Sequence, residues 1–139
     1  MKPRNWRMVA AAVILVACGG VDTPSQDPVA TGAELYQENC ASCHRADLSG
    51  DPNWKTPNDD GSYPPPPHDS SGHTWHHSDR VLIEIIRDGS GFPQSRMPAF
   101  GDRLTEEEIG AILEFFKESW GPQERAFQQQ MTERDPVQP

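Results

Sequence analysis

Apolar residues recur at helical spacing in three stretches of the chain. The last of these is the best specified. Ile109, Ile112, Leu113, Phe116 and Trp120 line one face. Thr105 and Glu108 form a capping box before it, Leu104 can staple against Ile109, and Gly121-Pro122 stops it. A second helix spans Asp79 to Arg87, with Ser78 as N-cap, Val81, Leu82, Ile85 and Ile86 on one face, and Gly89 just past its end. The first begins at the capping box Thr31-x-x-Glu34 and carries Leu35 and Tyr36 toward Cys40. No stretch alternates with a sustained period of two, so the pattern predicts an all-α fold with three main helices and no sheet. The segment from Arg45 to His77 is rich in Pro, Gly, Asp and His and has no apolar face of its own. So long a loop in a compact domain makes sense where it wraps a large apolar object.

The N-terminus carries a different signal. Lys2, Arg4 and Arg7 precede an apolar run from Val9 to Ala17. That run is far shorter than the ~20 residues of a membrane-spanning helix and suits an export signal. It ends in Leu15-Val16-Ala17-Cys18-Gly19, which resembles a bacterial lipobox, whose cysteine is acylated and becomes the new N-terminus. Residues 1–17 therefore read as a signal peptide, 18–30 as a lipidated N-terminus and flexible spacer, 31–120 as the folded domain, and 121–139 as a polar, disordered tail.

Charge and composition narrow the function. The chain has 12 Lys plus Arg against 21 Asp plus Glu, a net charge of −9, and loss of Lys2, Arg4 and Arg7 makes the remainder more acidic. A nucleic-acid binder needs the opposite sign. Only 35% of the 139 residues are hydrophobic, so the core is small and a metal, disulfide or cofactor should help fill it. Three cysteines are an odd number; acylation of Cys18 leaves Cys40 and Cys43 as a pair.

That pair belongs to Cys40-Ala41-Ser42-Cys43-His44, the attachment signature of c-type haem. Two thiols three residues apart sit on one side of a helical turn and can add to the two vinyl groups of the porphyrin, while the adjacent imidazole reaches the iron. A thioredoxin-like motif would want a βαβ pattern, and a structural zinc site a second pair of soft ligands. Neither is present. Export fits the haem reading, because haem is attached outside the cytoplasm.

Three segments together resemble a class I c-type cytochrome. They are Thr31-Gly32-Ala33-x-Leu35-Tyr36-x-x-Asn39-Cys40-Ala41-x-Cys43-His44, then Met97-Pro98-Ala99-Phe100, then Ile109 to Trp120. The resemblance implies a small all-helical globule around one covalent haem. It implies His44 as proximal and Met97 as distal iron ligand, with the first and last helices crossing near Gly32, Tyr36, Ile112 and Phe115. Gly32 permits close approach, and Met97 precedes a proline in a non-helical stretch, where a thioether is aimed rather than merely packed.

The middle segment is less regular. In the family a proline carbonyl fixes the proximal imidazole; Pro64-Pro65-Pro66-Pro67 offers four, of which Pro66 is taken. Gly72-His73-Thr74-Trp75-His76-His77 resembles the place where the family binds the haem propionates. There Trp75 is the indole donor, and a histidine such as His76, or else Arg80, neutralises a propionate. A competing reading builds a copper or zinc site from His68, His73, His76 and His77. The expected function is electron transfer, without enzymatic turnover, by a lipid-anchored monomer in a bacterial cell envelope. Its partners are redox proteins with basic or neutral docking sites. The alternative is a copper-handling or redox-sensing lipoprotein using the His68–His77 loop.

Overall fold

Asp27 opens the first helix: its carboxylate accepts the Val29 N–H at 3.0 Å, and Pro28 fills the first helical position, where a missing N–H costs nothing. Helix α1 (Pro28–Asn39) therefore starts earlier than the capping box at Thr31 predicts, and residues 28–30, expected in the spacer, are helical. The computed structural model describes residues 27–135. The predicted export signal, the acylation site Cys18 and most of the predicted spacer lie outside the described residues.

The remaining elements are α2 (Ala41–His44), a 3-10 turn (Thr74–His76), α3 (Asp79–Asp88), α4 (Glu106–Glu118) and α5 (Pro122–Arg134). Among the described residues the fold is all-α, with no strand, as predicted. Helix α3 begins where Ser78 accepts the Val81 N–H, and ends at Gly89 with φ +81°. Helix α4 has both arms of the Thr105–Glu108 capping box. Two of the five α-helices among the described residues, α2 and α5, come in addition to the three predicted.

The principal helix contact is α1 across α4. At the crossing the backbones nearly touch: a Cβ on Gly32 would lie 1.9 Å from the Ala111 carbonyl oxygen. Tyr36, one turn on, is fully buried, with Phe115 and Phe116 at 5.5 and 5.7 Å between ring centroids. Ile109, Ile112, Leu113 and Phe116 complete this side of the core, and Leu82 and Ile86 of α3, with Phe100 and Leu104, close the other.

Helix α5 corrects the sequence reading of a disordered tail. Gly121-Pro122 ends α4 but also begins α5, because proline at the first helical position is as good a start as a stop. The following residues are mostly good helix formers with almost no apolar face, so periodicity misses them. Their docking is polar. Gln128 is buried and donates Nε2 to the Asp79 carboxylate at 2.6 Å and to the His77 carbonyl at 3.3 Å. Asp135, just past the helix, accepts from the Ser78 hydroxyl and from Arg80 at 2.8 Å.

The long loop is held by hydrogen bonds. The His68 N–H donates to the Leu48 carbonyl and the Asp51 N–H to the Pro65 carbonyl, each at 2.8 Å. The Trp120 indole donates to the His68 carbonyl at 2.7 Å. Between these ties, Asp47, Asp60 and Asp69 each accept both the N–H and the hydroxyl of the serine two residues on, which closes a local turn.

The α1–α4 crossing yields a stability prediction. Gly32→Ala should cost about 3 kcal/mol through overpacking against backbone that cannot swing away, read as a lower denaturant midpoint of the haem-loaded protein.

Candidate functional site

The Cys-x-x-Cys-His segment begins where α1 ends. The Cys40 N–H donates to the Tyr36 carbonyl, and the Cys40 carbonyl accepts from the Cys43 and His44 N–H groups at 3.1 and 2.9 Å. One tight turn thus presents both thiols and the imidazole. Cys40 is buried, Cys43 is exposed, and they form no disulfide. Burial, reinforced by Cys43, pushes the Cys40 thiol up to about 11.

His44 is 7% exposed and its ring is fixed. Nδ1–H donates to the Pro66 carbonyl at 2.9 Å, which leaves Nε2 as the lone-pair nitrogen with no hydrogen-bond partner among the described residues. Burial lowers the imidazole below its ordinary value, opposed by the bond to Pro66, so the ring is neutral at pH 7. Two backbone features allow this geometry. Arg45 follows with φ +65° and ψ 153°, a conformation rare for a side-chain residue, and its carbonyl accepts from the buried Tyr36 hydroxyl at 2.6 Å. Gly50, at φ +59°, lets the proline run come close; a Cβ there would lie 2.4 Å from the Pro66 carbonyl carbon.

Met97 is partly buried and packs on the same core cluster that contains Cys40, Leu48 and Phe100. Its N–H donates to the Ser95 hydroxyl at 3.1 Å, and its thioether lies in a non-helical stretch. Trp75, on the 3-10 turn, packs on this cluster too. Its Nε1–H is buried with no acceptor, as is His73 Nδ1. His76 lies against the Trp75 ring at 3.8 Å.

The geometry of the histidine loop does not favour a metal site. Among the described residues no three His, Cys, Asp or Glu side chains converge to hold an ion. His68 is buried, sandwiched between the rings of His44 at 4.2 Å and Phe116 at 4.4 Å. Its Nδ1 meets the Thr74 hydroxyl at 2.9 Å, and that hydroxyl is directed to the Pro67 carbonyl at 3.3 Å. His73 instead stacks on Trp54 at 5.1 Å and 7°. The copper or zinc reading is therefore not favoured, and His68 is a core residue rather than a surface ligand. Arg80 also departs from expectation. Its guanidinium is held by Glu84 and Asp135 at 2.9 and 2.8 Å and ties α3 to α5 instead of waiting for a propionate.

Sequence reasoning missed His68 and the Tyr36 hydroxyl as supports of the site. The signal for His68 was its position two residues after Pro66, which puts it beside whatever that carbonyl holds.

The donor set suits a haem covalently held at its edge: two unpaired thiols, a neutral buried imidazole with a free nitrogen, a thioether, and a buried indole N–H awaiting an acceptor. Residues 27–116 match the family described as cytochrome c oxidase, cbb3-type, subunit III. The gluconate 2-dehydrogenase cytochrome c subunit of Pantoea cypripedii is 29% identical over 108 residues, covering 68% of this chain and 21% of its own. The chain thus spans about a fifth of that relative. Chloroplastic cytochrome c6 of Chlamydomonas reinhardtii is 30% identical over 129 residues, covering 84% of this chain and 72% of its own. No solved structure matches the chain significantly. With the family model spanning nearly all of the helical core and the two cytochromes alike in sequence, the chain belongs to the c-type cytochrome family of cbb3-type subunit III and transfers electrons through a covalently bound haem c.

Proposed function

We propose that the haem is attached through Cys40 and Cys43, with His44 and Met97 as the axial ligands of its iron. The bound haem supplies the chemistry, a one-electron change between ferrous and ferric iron. The observation that carries the reading is the His44 ring, buried, neutral and oriented by Pro66 with its other nitrogen free. Donation of Nδ1–H to a carbonyl fixes the tautomer and makes Nε2 a stronger donor to a metal. Cys40 lies inside the core and Cys43 at the surface, which supports a haem with one side buried and one edge reachable by a partner. Trp75 donates its indole N–H to a propionate. His44 and Met97 would together hold the iron and leave no site on it for substrate, which suits a carrier of electrons.

The setting is a bacterial cell envelope, with the protein exported and anchored through acylated Cys18. No helix among the described residues is long and apolar enough to cross a membrane. A dehydrogenase is the donor class suggested by the Pantoea relative.

Acid–acetone extraction should leave the red colour on the protein and remove it from a Cys40→Ser, Cys43→Ser double variant; colour extracted from the intact protein would refute covalent attachment. Replacing Met97 by Ala should let the ferrous form bind carbon monoxide, and Met97→His should lower the reduction potential, since thioether ligation raises it. If neither change appears, another side chain is the sixth ligand. Cys18→Ser should move the protein from the membrane to the soluble fraction, and equal membrane association of the variant would mean a different anchor.

A further inference from the structure

Helix α5 lies beyond residue 116, where the family match ends, and it is not used to extend the α1–α4 contact. It packs on the 3-10 turn that carries Trp75. Phe127 sets its ring edge-on to the indole, with centroids 5.6 Å apart at 90°, and lies 5.5 Å from the His76 ring. The segment that follows is tied down residue by residue. Gln128 takes the His77 carbonyl and the Asp79 carboxylate, the Thr132 hydroxyl accepts the Asp79 N–H at 3.1 Å, and Asp135 takes Ser78 and Arg80.

Beside this satisfied network two buried polar atoms lack partners, His73 Nδ1 and the Trp75 indole nitrogen, and of these the indole N–H can only donate. The Trp75 Nε1–H is buried with no acceptor anywhere in the described chain. Buried polar groups are rarely left unpaired, so an arrangement that encloses this one awaits an acceptor brought by something else. The haem brings two carboxylates. Phe127 is 42% exposed, and among the described residues its aromatic partners are Trp75 and His76.

We infer that α5 is a positioning strap for the haem site: Phe127 holds the Trp75 indole so that its N–H meets a haem propionate, while Gln128, Thr132 and Asp135 fix the backbone on which the indole stands. This rests on the Trp75–propionate contact proposed above and adds the element that controls it. A propionate that loses its donor keeps more negative charge near the iron, which favours the ferric form. Phe127 touches no haem atom in this scheme and acts through Trp75.

The test uses the full-length, haem-loaded protein and reads the reduction potential together with the Trp75 indole N–H resonance. Trp75→Phe should lower the potential. Phe127→Ala should lower it in the same direction by a smaller step and move the indole resonance, and Phe127→Tyr should restore both. In the Trp75→Phe background, Phe127→Ala should add nothing. If Phe127→Ala lowers the unfolding temperature but leaves potential and resonance where they were, α5 is only structural, and the strap is overturned while the Trp75 contact stands. If Trp75→Phe itself leaves the potential unmoved, the propionate contact fails and the strap fails with it. Gln129→Ala, on an exposed position of the same helix, serves as the control that should change neither readout.

Discussion

The crossing of α1 over α4 at Gly32 sets how close the two longest core helices lie, and the geometry of the site follows from that spacing. With the Gly32 backbone against the Ala111 carbonyl, Tyr36 one turn later is driven fully inside. Its hydroxyl then emerges where the Arg45 carbonyl can receive it. The Cys-x-x-Cys-His turn is thereby fastened at both ends: at Cys40 by the helix it terminates, and just past His44 by a side chain from the last turn of that helix. Rigidity at the His44 imidazole comes from packing eight residues away, at Tyr36. A side chain at position 32 would change the spacing first and the imidazole second.

From the turn outward, the long segment achieves order without a core. Its carbonyls do most of the holding: Pro65 and Leu48 within the segment, His68 to Trp120 of the C-terminal corner, Pro66 to the imidazole. Proline suits this purpose, because a residue without an N–H has only an acceptor to place and its φ is already fixed. Four in a row make a stiff rod of carbonyls, and Gly50 supplies the gap into which it fits.

The legible parts of the molecule were those with local chemistry. Ser78 and the Thr105–Glu108 box mark helix starts because a cap is a contact between near neighbours, and the α4 face is readable because one side of it is buried throughout. The start of α1 was misread because two capping signals lie four residues apart, at Asp27 and Thr31, and proline at the first helical position favours the earlier one. Helix α5 was invisible for a different reason. Its anchor points are Gln128, Thr132 and Asp135, polar residues whose partners lie some fifty positions earlier, and no periodicity records a bond of that span. The same holds for Arg80, whose partner Asp135 is on the far side of two helices, and for His68, whose burial depends on Phe116 and His44 meeting across it.

The three Asp-x-Ser turns divide the loop into short units that each close on themselves. None of the three carboxylates spends its turn-closing oxygen on the core, so the shape between two ties is a property of a few adjacent residues. The middle turn is the freest of the three: a Cβ on Gly61 would meet nothing within 4 Å, whereas Leu48 of the first turn belongs to the core and Ser70 of the last accepts the Gly121 N–H. Change in the loop can thus collect at Gly61 while the turns at Leu48 and Ser70 stay bound to the helical core.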